Sequence, residues 1–135
     1  MKTNKKLLAL AVSSLVGLSI LACGPDYERT DITAVKPSPL GGDVKPNFVS
    51  VPEGMIVKAK VVPVDDDREL MQAHVFSHDE SVLEVIAVVN DRDYAFIGKK
   101  PGKTEVEFQA DGETVFRVVA EVTAQPAPEE TGSQP

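Results

Sequence analysis

A single cysteine, no tryptophan and two histidines leave this 135-residue chain few of the residues on which most catalytic and metal sites are built. One cysteine, Cys23, excludes an internal disulfide, and no Cys/His cluster has metal-ligand spacing. Basic residues are also scarce, at 14 against 21 acidic ones. Phosphate backbones repel a chain of that balance, so nucleic acid is not expected as a partner. Adsorption to anionic lipid through basic patches is excluded on the same ground. The motif for a nucleophile elbow (G-x-S-x-G), the zinc helix H-E-x-x-H, the redox pair C-x-x-C and phosphate-binding glycine loops are all missing. The chain therefore reads as non-enzymatic, with no cofactor.

What is present is organised in four parts. Residues 1–6 carry three lysines, and residues 7–22, "LLALAVSSLVGLSILA", carry no charge. A basic start followed by an apolar stretch of this length has the pattern of a secretory signal peptide. A permanent span wants about 20 apolar residues, and here Ser13, Ser14, Gly17 and Ser19 dilute a shorter run. Residues 23–45 contain prolines and glycines with one short apolar patch, Ile32 to Val35. They read as a flexible linker that would hold a domain about 25 Å from its attachment point. Residues 124–135 are polar, Pro-rich and expected to be disordered.

Between linker and tail, residues 46–123 alternate apolar and polar side chains. Val57, Ala59 and Val61 alternate with Lys58 and Lys60, and Val106 and Phe108 with Glu105 and Glu107. Phe116, Val118, Ala120 and Val122 oppose Arg117 and Glu121 in the same way. Period-2 alternation marks half-buried strands. Asp111-Gly112 is a hairpin signal, and Asn90-Asp91 and Pro101-Gly102 punctuate other runs. Strands are predicted over 47–51, 55–63, 70–77, 83–89, 93–98, 103–109 and 114–122. Only "DDDRELMQAHVF" competes as a helix, through Glu69, Leu70, Met71, Gln72 and Ala73. Seven short antiparallel strands at such spacing predict an all-β sandwich.

Candidate sites were weighed residue by residue. The acidic run Asp65, Asp66, Asp67, with Glu69 behind it, is a weak calcium candidate that lacks the order of a dedicated calcium loop. The commoner expectation for such a run is a solvated loop. His74 and His78 are four apart, a spacing that gives no preformed chelate on a strand and its following turn. The acid pairs Asp91 with Asp93 and Glu105 with Glu107 are outward residues with no cleft implied for a glycosidase pair.

Two stretches resemble known families. Ile20-Leu21-Ala22-Cys23 resembles the lipobox of bacterial lipoprotein precursors. The resemblance implies cleavage between Ala22 and Cys23, a diacylglyceryl thioether on Cys23, and an acyl chain such as palmitate on the new amino group. A thiolate is the best nucleophile available for that thioether. Gly24 after the cysteine resembles the default route to an outer membrane; a cell with one membrane would carry the protein on that membrane's outer face. An ordinary signal peptide with an incidental cysteine, or an uncut anchor, are the alternatives.

"FSHDESVLEV" and "AFIGKKPGKTEVEFQADGETVFRVVAEVT" resemble the bacterial Ig-like group 2 family, and "VPEGMIVKAKVVP" resembles its first two strands. The family often has a tryptophan before the Ser-rich turn, a space that Val75 or Phe76 must fill here. The resemblance implies that the all-β sandwich is immunoglobulin-like, and that it serves as a non-catalytic binding, adhesion or spacer module at the cell envelope. Its partners would be the membrane, through lipid, and an envelope protein or glycan. A periplasmic regulator, such as a protease inhibitor or assembly factor on the same scaffold, is the alternative.

Overall fold

A computed structural model describes residues 26–35 and 41–125. Nine strands follow in chain order: β1 (Tyr27–Ala34), β2 (Asp43–Lys45), β3 (Phe48–Pro52), β4 (Ile56–Asp65), β5 (Ala73–Ser77), β6 (Leu83–Val89), β7 (Asp93–Gly98), β8 (Gly102–Ala110) and β9 (Glu113–Thr123). They form a four-stranded sheet of order β1-β4-β7-β6 and a five-stranded sheet of order β2-β3-β9-β8-β5. Taken as A to G, strands β1, β4, β5, β6, β7, β8 and β9 give sheets A-B-E-D and G-F-C. That is the constant-type immunoglobulin order. The sandwich is therefore immunoglobulin-like in topology as well as in strand content.

The alternation read from the sequence directs the side chains. Val57, Ala59 and Val61 of β4 meet Val106, Phe108, Val118, Ala120 and Val122 of β8 and β9 in the space between the sheets. Phe96, Phe108 and Leu83 are the largest side chains fully shielded there. Most of the remaining core is valine, whose β-branching suits a pleated, packed surface. Phe108 and Phe116 stack across β8 and β9 with ring centroids 4.5 Å apart. The buried Tyr94 hydroxyl of β7 donates to the Ala73 carbonyl of β5 at 2.9 Å, tying one sheet to the other. Burial, and then the nearby Asp91 charge, push its phenol up to about 12.

The turns obey their residues. Asp111 and Gly112 both take positive φ, as a two-residue type I′ hairpin requires. Asn90 and Asp91 do the same between β6 and β7. Gly98 is required for space: a Cβ there would stand 2.4 Å from the Pro52 carbonyl oxygen.

Several expectations are corrected. The proposed flexible linker is not one throughout, because Tyr27–Ala34 is a strand paired antiparallel with β4, and Asp43–Lys45 pairs with β3. Ile32 and Ala34 face inward in that pairing, enough to hold an edge strand. The sandwich thus has nine strands rather than about seven, and β3 runs parallel to β9, so it is not wholly antiparallel. The predicted strand 70–77 begins at Ala73; its first residues instead make an isolated bridge, Leu70 to Val64. No helix forms in "DDDRELMQAHVF". Of Val75 and Phe76, Val75 points into the core and Phe76 stays half-buried outside it. Residues 1–25, 36–40 and 126–135 lie outside the described residues, and with them the signal-peptide segment, Ala22, Cys23 and most of the tail.

Candidate functional site

The acidic run closes a turn. Asp65 is 1 % exposed, and its Oδ1 accepts from the Glu69 backbone N–H at 2.7 Å. Its own N–H donates to the Glu69 carbonyl, and its carbonyl accepts from Arg68, which sits at φ 66°. Asp65 is thus no part of a solvated loop, while Asp66 and Asp67 are exposed. Among the described residues no group of three His, Cys, Asp or Glu side chains could hold a metal ion.

The outer face of the five-stranded sheet holds the densest polar cluster. Glu107, in β8, is only 5 % exposed although it points away from the core. His78 Nε2 lies 2.8 Å from its Oε2, and Arg117 Nε lies 3.2 Å from the same oxygen. Thr114 donates its hydroxyl to Oε1, and Gln109 Nε2 donates to Oε1 at 3.3 Å. The Thr114 hydroxyl, then His78, hold the carboxyl down to about 2 against the upward push of burial; Gln109 and Arg117 add smaller contributions. Glu105 is a looser member, 3.6 Å from Arg117 and 4.0 Å from His78.

A β-bulge builds this arrangement. Ala110 opposes Glu113 and Gln109 opposes Thr114, but Phe108 opposes Phe116, so Val115 is the extra residue. Without it Glu107 would face Phe116, and Arg117 would point into the core. His78 reaches the cluster from just beyond β5, its ring stacked on Phe76, which in turn packs on His74. The centroid separations are 5.6 Å for His78–Phe76 and 5.4 Å for Phe76–His74.

The sequence candidates therefore divide. His78, Glu105 and Glu107 come together; His74 stands apart from them along β5. Asp91 accepts from Gln72 Nε2 at 3.1 Å across a shallow furrow of two hollows, about 200 and 230 Å³. Asp93 is half-buried in β7 and opposes Lys60. In the Ser/Asp-rich turn Asp79 accepts from the Ser81 hydroxyl at 2.6 Å and its N–H at 3.0 Å, which lowers its pKa. The Glu107 carboxylate is held by Thr114, His78, Gln109 and Arg117, so the arrangement organises the surface of this sheet.

No protein-family model matches the chain, and no curated protein matches it in sequence. Solved structures do match its fold. Domains 4 and 5 of the S-layer protein SbsC superpose with a TM-score of 0.52 at 19 % identity, over 75 % of this chain and 54 % of that one. SbsC domains 1–6 give a TM-score of 0.56 at 18 % identity, over 77 % of this chain and 14 % of that one. The chain thus spans about half the length of the first and about a seventh of the second. At that identity the likeness is one of fold. The described part of the chain is a β-sandwich similar to domains of a surface-layer protein.

Proposed function

We propose that this chain is a lipid-anchored protein of the cell envelope that displays one Ig-like domain as a non-catalytic binding, adhesion or spacer module. The observation that carries the reading is the pairing of a lipobox-like stretch, Ile20 to Cys23, with a sandwich in which, among the described residues, every buried side-chain polar atom has a partner. The likeness to S-layer domains supports a surface setting, and the Asp111-Gly112 hairpin and Pro101-Gly102 turn support kinship with the bacterial Ig-like group 2 family.

The structure sharpens how such an anchor would act. Only Gly24, Pro25 and Asp26 separate Cys23 from β1. At about 3.5 Å per residue the start of β1 stands no more than about 14 Å from the lipidated cysteine, closer than a long tether would allow. Tyr27 opposes Asp65, and Asp66 N–H donates to the Asp26 carbonyl. The Asp65–Glu69 turn and the furrow beside Asp91 therefore lie at the membrane end of the sandwich. The flanks and the far end, at the Ser77–Leu83 and Gly98–Gly102 loops, are left for partners. One diacylglyceryl group plus one N-acyl chain is enough for stable anchoring.

Mass spectrometry of the mature N-terminus is the test. It should find cleavage before Cys23 and a lipid mass on that residue, and Cys23→Ser should leave the precursor unprocessed. An unmodified Cys23 would sink the anchor.

A further inference from the structure

Among the described residues the sandwich has four free sheet edges, and three are guarded. β1 carries Glu28, Arg29 and Asp31, β2 is three residues long with an Asp43–Lys45 ion pair at 2.6 Å, and β5 is five residues long with His74 and Phe76 on its outer face. Charged side chains and short length are the usual protections of an edge. β6, "LEVIAVV", has seven residues, one charge and no proline. Ile86, Val88 and Val89 are 43, 48 and 51 % exposed. β6 pairs only with β7, and none of residues 84–88 takes part in the turn and loop hydrogen bonds of the described residues. Alternate backbone N–H and C=O groups along it therefore face outward.

We infer that β6 pairs antiparallel with β6 of a second copy of this chain, about a two-fold axis at Ile86. That axis sets Ile86 opposite Ile86, Val85 opposite Ala87 and Glu84 opposite Val88. Val85 and Ala87 oppose Phe96 and Tyr94 of β7, so both lie on the core side of the strand, and the half-buried Val85 of each copy would cover the exposed Ala87 of the other. No like charges face each other. Glu84 is already neutralised by Lys99 at 2.7 Å, which leaves the seam uncharged on an acidic protein. A pairing through β1 or β2 would place their charges in the seam, and β5 offers only a five-residue edge with His74 and Phe76 on its outer face. The bulge at Val88 ends the regular ladder, so the seam is the five residues Glu84–Val88. A contact that short is weak singly and gains strength when many copies face one another.

The polarity of the pair has a functional consequence, which rests on the anchor proposed above. β6 runs toward the end of the sandwich where β1 begins. Antiparallel pairing points the two β1 starts in opposite directions, so anchored copies meet across facing membranes and not within one.

Cysteine cross-linking tests the seam. In the purified full chain carrying Cys23→Ser, Ile86→Cys should oxidise to a disulfide-linked dimer, because directly opposed strand residues stand within disulfide range. Val119→Cys, more exposed but on the other sheet, is the control. Dimer yield at 86 about tenfold above that at 119 is expected; equal yields would overturn the pairing. Ile86→Lys, which opposes two lysines at the axis, should weaken self-association about tenfold. In cells, cross-linking of Ile86→Cys to a different polypeptide and not to itself would assign the edge to a foreign strand and overturn self-pairing. For the facing arrangement, the chain is coupled through Cys23 to maleimide-lipid vesicles. Clustering that Ile86→Lys abolishes is expected; no clustering alongside efficient cross-linking at 86 would overturn that arrangement while the seam stands. A failed lipidation assay would remove the anchor without touching the cross-link.

Discussion

The two outer faces of this sandwich are built from the same alternation and end in opposite states. On the five-stranded sheet, Glu107 is enclosed by Thr114, His78, Gln109 and Arg117, and the polar side chains satisfy one another. On the four-stranded sheet, the rows Ile56–Ile97–Glu84 and Lys58–Ala95–Ile86 leave Ile56 and Ile86 exposed, and the one charge on the free edge β6, Glu84, is paired with Lys99. The difference teaches where contact is to be sought. A face that has spent its hydrogen bonds on itself has little to offer a partner, whereas an apolar face with open backbone groups has both surface and ladder.

Breaking what the faces share should have the largest effect. Phe96 of β7 is fully buried between the sheets, and its backbone lies in the row that carries Val85 of β6. Phe96→Ala should cost about 3–5 kcal/mol through lost burial and a cavity. Chemical denaturation would show it as a lower midpoint with an unchanged slope. A smaller loss would mean the valine core collapses into the gap.

Next is the turn at the β1 end. Asp65→Ala removes the acceptor of the Glu69 N–H and should cost about 1–3 kcal/mol, the penalty for stranding a shielded donor. Asp65→Asn keeps an acceptor oxygen and should lose far less; equal losses would mean the charge itself is needed. Thermal melts of both variants decide this.

How far these features could be read in advance varied with the physics behind them. Strands β4, β8 and β9 were legible because one side of each is buried and period 2 follows, and β3, β5, β6 and β7 because short apolar runs there are bounded by turn residues. Strand β1 was not, since the side it turns inward holds Thr30 beside Ile32 and Ala34, and Glu28, Arg29 and Asp31 charge the other, with Pro37 and Pro39 following close behind. The Asp65 turn was hidden because an acidic run reads as solvated, and only the backbone geometry reveals its acceptor role. The Glu107 cluster left one overlooked trace. A two-residue turn at Asp111-Gly112 pairs Ala110 with Glu113, which would put Val115 and Arg117 inward. The apolar face of β9 instead demands Phe116 and Val118 inward. Both can hold only if one residue bulges, and that bulge delivers Thr114 and Arg117 to Glu107.

The smallest effect is expected at neutral pH from Glu107→Gln, and its value lies in how it changes with acid. The Glu107 carboxyl is held at about 2 in the fold, against 4.5 for an unperturbed glutamate. A group with a depressed folded pKa contributes stability that is complete above its unfolded value and is lost as pH falls toward the folded one. Wild-type stability should therefore decline between about pH 4.5 and 2, and Glu107→Gln should flatten that part of the profile. Because the carboxylate sits on the outer face of the sheet and not in the core between the sheets, the amide should leave the fold intact at pH 7 and give only a modest fall in Tm. The same variant should leave cross-linking at Ile86→Cys untouched, since its network spans β5, β8 and β9 only. A change in dimer yield on Glu107→Gln would show that the two faces communicate through the core, and the contrast between a closed face and an open one would no longer hold.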